Sequence, residues 1–168
     1  LAWDQVRPAV AEDEELAAFL AAKAQQYGLA APKATPADVV RNIEQGILRD
    51  PLASAGKITS NYPRREIATA VIMAALEWPS NRDQVMAVID GFLTRATAVD
   101  GLTGEKGLAN YSAFVIQSVG LFLARCERAM PGFLDEVLQR HPELHDTYRF
   151  HIDTWCLNRY YPLSGDSG

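Results

Sequence analysis

The side chains best suited to chemistry in this chain are gathered in three polar loops. Residues 59–65 carry Asn61, Tyr62, Arg64 and Arg65, residues 100–111 carry Asp100, Glu105, Asn110 and Tyr111, and residues 159–168 carry Tyr161 and Asp166. Amides, phenols, guanidinium groups and carboxylates are the donors and acceptors that a sugar site uses. Each also has a plainer structural use. Asn61 before a proline-led helix is a good cap or turn residue. Tyr111 at a helix entrance can pack at a core rim, and Asp100 and Glu105 can order a glycine turn. If Asp100 and Asp166 faced one cleft with water between them, they would be the carboxylate pair of a glycoside hydrolase. The histidines do not form a metal set: His141 stands at a helix end beside Pro142, and His145 and His151 miss the four-residue step of a helical metal pair. Cys126 and Cys156 match no metal-binding or redox spacing and read as buried thiols, with a disulfide open if the chain is exported. No metal and no cofactor is implied.

The elements that must position these loops are helices. Over residues 10–27, Leu16, Phe19, Leu20, Ala24 and Tyr27 recur at three- and four-residue steps, placing them on one face, with Gly28 as a stop. Thr35 and Pro36 form a cap and first-turn pair, opening a helix with an apolar stripe of Val39, Val40, Ile43 and Ile47 that ends before Pro51. Residues 64–76 begin with charges and become apolar nearly all round, which predicts a helix buried on most sides. Ser80 then caps 81–99, where Val85, Val88, Ile89, Phe92 and Ala96 make one stripe. Another largely apolar helix spans 110–130. Pro131 opens a short helix to 139, and Pro142 opens a last one with Leu144, Tyr148, Ile152 and Trp155 on one face.

No alternating strand pattern occurs, so the expected class is all-α, with antiparallel helical hairpins in two layers. In such an α/α array, loops leading into successive inner helices open at the same end. The loops at 59–65 and 100–111 are therefore expected to line one cleft.

Composition narrows the function classes. A length of 168 residues predicts a single helical domain over 1–168, and 48% hydrophobic with 22% charged residues is a globular balance. A net charge of -5 with scattered basic residues speaks against a nucleic-acid partner, whose phosphates require clustered cations. No window approaches the roughly 20 apolar residues of a membrane span, so no membrane partner is expected. The start Leu1-Ala2-Trp3-Asp4 lacks an initiator Met and a signal-peptide pattern, so a processed or trimmed terminus is expected.

Three strings in order, Ser60-Asn61-Tyr62-Pro63, then Asp100-Gly101 with Glu105 and Tyr111, then residues 161–167 reading Tyr-Pro-Leu-Ser-Gly-Asp-Ser, resemble the helical toroid portion of the heparinase II/III-like polysaccharide lyases. The resemblance covers roughly the last two-thirds of the chain and rests on the order and spacing of the loops. It implies a partial (α/α) toroid of about six to seven helices, joined to a C-terminal β-sandwich that lies outside this chain. It further implies an exported protein, periplasmic or secreted, that cleaves uronate-containing polysaccharides by β-elimination. Asn61 would then bind the uronate carboxylate, Tyr111 would exchange a proton with the sugar, and Arg64 and Arg65 would favour its phenolate. Asn110, Glu105 and Asp166 would contact the acidic glycan.

Such groups suit the chemistry, because the proton beside a uronate carboxylate becomes removable only if charge building on that carboxylate is stabilised. A phenol that titrates near ~10 needs cationic neighbours to act as a base at neutral pH. One departure stands out: the family often places a histidine directly after the loop asparagine, and here that residue is Tyr62, a candidate substitute. Since the sandwich would supply a further catalytic side chain, the chain alone is expected to be inactive. A non-catalytic module binding a glycan or a protein is the third reading.

Overall fold

The computed structural model describes residues 2–30, 32–99, 101–103 and 107–162. Among them every regular element is helical, and extended pairing is limited to the isolated bridges Val99–Leu102 and Cys156–Tyr160. The all-α expectation is met. No helix is long and apolar enough to cross a membrane among the described residues. The chain packs as two compact units, Leu1–Thr59 with Thr69–Arg82, and Ser60–Ala68 with Asp83–Gly168.

The first unit holds α1 (Ala2–Glu12), α2 (Glu14–Gln26), α3 (Pro36–Ile43), α4 (Asp50–Ala53) and the later part of α5 (Arg64–Glu77). Asp13 caps α2 by accepting the Leu16 N–H at 2.8 Å, and Glu14 and Glu15 occupy its first turn, where the helix dipole favours negative charge. Thr35 and Asp38 close a reciprocal capping box at the start of α3, as the Thr-Pro pair predicts. The helix does not end before Pro51. A π-helical turn, Glu44–Arg49, runs directly into α4, with the Asp50 N–H bonded to the Gln45 carbonyl. A proline inside a regular helix collides with the carbonyl four residues earlier, and the widened turn accommodates it.

Burial in this unit departs from the sequence pattern. The buried positions of α2 are Ala17 and Ala24, whereas Phe19 is 58% and Tyr27 68% exposed. The buried line therefore runs along small residues, and two large rings on the expected face stay in solvent. α5 differs too: of its apolar residues only Ala70 is buried, and Ile67, Val71, Ile72, Met73 and Leu76 are half-covered. Ser80 does not cap the next helix. Its hydroxyl donates backward to the Glu77 carbonyl, and the buried Asn81 amide donates to the Met73 carbonyl at 2.7 Å, so both residues finish α5.

The second unit carries the larger core. α6 (Arg82–Ala96) buries Val85, Met86, Ile89, Phe92, Leu93 and Ala96, and α7 (Ala113–Ala129) buries Val115, Ile116, Val119, Phe122 and Leu123. Phe92 and Phe122 meet edge to face at 5.5 Å. Phe133 and Val137 of α8 (Phe133–Arg140) and Leu144 of α9 (Leu144–Asp153) complete it. The Glu127 carboxylate accepts the N–H groups of Gly132 and Leu134, capping α8 from the end of α7. These two backbone bonds hold its carboxyl below the ordinary range.

α9 is rotated from the expected register. Its buried face is Leu144, Thr147 and His151, while Ile152 is exposed and Tyr148 and Trp155 are only partly covered. The cause is polar: Thr147 presents its hydroxyl to the Gly101 carbonyl, fixing the turn that leads toward the loop before α7. Gly101 has φ +81, and a Cβ there would lie 2.9 Å from the Thr147 nitrogen. Gly101→Ala is therefore expected to lower stability by about 2–4 kcal/mol. Gly46→Ala, with open space around its Cβ, should change it by less than about 1 kcal/mol, toward stabilisation. Urea denaturation of the two variants checks the contrast.

Candidate functional site

Three helix ends of the second unit meet around one short turn. Tyr62 donates its hydroxyl to the Phe92 carbonyl in α6, and the Arg95 guanidinium lies 4.1 Å from the centre of the Tyr62 ring. Two residues on, the Arg64 guanidinium lies 4.8 Å from the centre of the Phe114 ring. Arg64 opens α5 and Phe114 is the second residue of α7. The first turns of α5 and α7 and the last turn of α6 are thus within a side chain's reach of each other. Asn61 precedes Arg64 by three residues, and Tyr111, in the π-helical turn that leads into α7, precedes Phe114 by three.

The sequence-derived candidates fare differently here. Asn61 is exposed; its carbonyl accepts the Arg64 N–H at 3.0 Å, and its side-chain amide has no hydrogen-bond partner among the described residues. Its backbone therefore makes the turn, and its side chain is exposed. Tyr111 is half-buried in the π-helical turn Gly107–Ser112, and Asn110 beside it is exposed. Arg64 stacks on Phe114, whereas Arg65 pairs with Glu66 at 2.8 Å. Glu105 and Asp166, with Asp100, lie outside the described residues.

Tyr62 is 9% exposed, with its hydroxyl donated to a backbone carbonyl and its ring covered by Arg95, an arrangement that anchors the turn. Arg95 escaped the sequence reading because it looks like an ordinary polar residue in the last turn of an amphipathic helix. Its contact with a residue 33 positions away in sequence, Tyr62, sets it apart.

A second polar cluster ties α6 to the corner between α8 and α9. The His141 ring is buried between Asp90 at 2.9 Å and Glu143 at 3.2 Å, Arg140 pairs with Asp90, and the Thr97 hydroxyl donates to Glu143 at 3.3 Å. His141 was expected as a helix-end residue, and it is the residue that closes α8, its N–H bonded to the Val137 carbonyl. The described residues contain no group of three or more histidine, cysteine or acidic side chains able to hold a metal. Both cysteines are free and half-buried, and burial pushes the Cys126 thiol up to about 11, which makes it a poor nucleophile. His151 is buried with its Nε2 unpartnered among the described residues, against the rings of Phe150 and Tyr161, and burial holds its pKa below the usual imidazole range.

No protein family, curated protein or solved structure matches this chain.

The Asp90 cluster yields a pH test. Burial works against the charge on Asp90, but the bonds from His141 and Arg140 outweigh it and hold the carboxyl below its usual range. The carboxyl of Glu143 is also lowered, chiefly by its own backbone N–H, with further help from His141 and Thr97. A carboxylate whose folded pKa is depressed stabilises the protein above its unfolded pKa, near ~4. That contribution disappears as pH falls through the folded value. Asp90→Asn is expected to cost about 1–3 kcal/mol at pH 7, and the gap from wild type should shrink below about pH 4. Urea unfolding from pH 7 to 3 measures it.

Proposed function

We propose that this chain is the helical portion of a polysaccharide lyase that cleaves uronate-containing glycans by β-elimination. On this reading the helical hairpins are part of an α/α toroid, and the acidic sugar binds at the end where α5 and α7 begin. The observation that carries the reading is the stacking of Arg64 on Phe114. It brings the first turn of α5, three residues after Asn61, beside the first turn of α7, three residues after Tyr111.

The division of labour follows from the side chains. The amide of the exposed Asn61 hydrogen-bonds the uronate carboxylate and stabilises the charge that develops as the neighbouring carbon loses its proton. Tyr111 takes that proton as phenolate, or returns one to the departing glycosidic oxygen as phenol. Arg64 is the cation of the pair that stays oriented toward this end, since Arg65 is engaged with Glu66. Electron flow is complete within the sugar: the C–H pair forms the new double bond as the C–O bond breaks. No external oxidant or cofactor enters.

The test uses the full-length protein acting on acidic glycans, with the unsaturated uronate product followed by its ultraviolet absorbance. Tyr111→Phe is expected to reduce turnover by about 100-fold or more. Tyr62→Phe should leave turnover within a few-fold while lowering stability by about 1–2 kcal/mol, the cost of an unsatisfied Phe92 carbonyl. Products without a double bond, or full activity in Tyr111→Phe, would instead favour a hydrolase. No product at all from heparan, alginate or related uronates would remove the lyase reading.

A further inference from the structure

α9 ends in a hook that turns the chain back on the helix. The Thr154 hydroxyl donates to the Phe150 carbonyl at 2.7 Å. Cys156 and Tyr160 then form a short antiparallel bridge, in which the Cys156 N–H donates to the Tyr160 carbonyl at 2.8 Å. Leu157 and Asn158 make the turn between them in the left-handed region, with φ 52 and 54. Much of the hook is in solvent: Leu157 is 81% and Tyr160 52% exposed. Tyr161 folds inward instead, its ring centre 4.9 Å from that of Trp155 and 5.6 Å from that of His151 in α9, both edge to face. The contact with His151 joins the far arm of the hook to the helix.

His151 is buried, and its Nε2 has no hydrogen-bond partner among the described residues. The rings of Phe150 and Tyr161 lie against it. The titratable group facing it from the hook is the Tyr161 phenol. On α9 itself, Tyr148 stands one turn earlier with its hydroxyl close to Gly120 of α7, and burial raises its pKa, so it brings no negative charge. Burial is the single cause that lowers the His151 pKa, with no charged side chain contributing among the described residues. We propose that the hook is an acid-sensitive latch: a second proton on the His151 ring drives Tyr161 off it and frees residues 154–162 from α9. A neutral imidazole sits among aromatic rings at small cost, but an imidazolium there lacks both water and a counter-ion. Opening the hook gives the ring water. The closed state, with the lower pKa, is therefore fully favoured above the open-state value near ~6.5, and that advantage is lost as pH falls from there through the lower closed-state value. The latch does not depend on the lyase reading.

The experiment is amide hydrogen exchange of the whole chain, corrected for the intrinsic pH dependence of exchange, at several values from about pH 7.5 down to about pH 5. This window stays above the range near ~4 in which the Asp90 and Glu143 carboxylates take up protons. In wild type, exchange over residues 154–162 should rise as pH falls, by up to about tenfold per pH unit below ~6.5. The buried amides of α6 should not change. His151→Leu, which cannot titrate, is expected to keep the hook equally protected across the window. Tyr161→Ala should leave the hook unprotected at every pH and bring the His151 titration, followed by the NMR signal of its ring proton, up toward ~6.5. Should His151→Leu fail to fold, wild-type exchange and the titration in Tyr161→Ala carry the test together. Equal or greater hook protection at pH 5 in wild type overturns the proposal. So does acid opening that persists in His151→Leu, or a His151 titration that Tyr161→Ala leaves where it was.

Discussion

The phenol of Tyr62 is the constraint on which the placement of the first turns of α5 and α7 depends. Its hydroxyl is buried against the Phe92 carbonyl and its ring lies under Arg95, so the turn before α5 is fixed to the last turns of α6. A buried hydroxyl without a partner would cost about 1–3 kcal/mol, so the turn has little freedom to move away. Everything just beyond it inherits this position. Arg64 reaches Phe114, and the opening of α7 is set beside the opening of α5.

The Gly101 turn is held by different means. Gly101, in a backbone conformation that side chains disfavour, sits close against α9 and gives its carbonyl to Thr147. The Asp90–His141–Glu143 cluster fixes the corner from which α9 starts. Polar contacts thus set the angles of the elements around the apolar core of α6 and α7. Such contacts are specific in direction, which apolar burial is not.

Local signals in the sequence were legible where local chemistry decides the structure. The Thr35-Pro36 pair capped its helix, and of the stripe Val85, Val88, Ile89, Phe92 and Ala96 all but the half-buried Val88 were buried as their spacing implied. Periodicity failed where a tertiary contact chose the face. α9 turned toward Gly101 through Thr147; in α2 the expected Ala24 was buried, with Ala17, while Phe19 and Tyr27 stayed exposed. Pro51 was read as a stop because the π-helical turn that absorbs it has no simple sequence mark. For the candidate site, the loops of Asn61 and Tyr111 were singled out by residue type and order. The burial of Tyr62 and the contribution of Arg95 depend on a pairing between distant segments, which no spacing along the chain encodes.

The central claim is that Asn61 and Tyr111 serve one bound sugar. A crystal structure of the chain with a hexauronate tests it most directly. The account predicts a uronate residue within hydrogen-bond reach, about 3 Å, of both the Asn61 amide and the Tyr111 hydroxyl. A sugar bound elsewhere, or the two side chains too far apart for a single sugar residue to touch both, would contradict it.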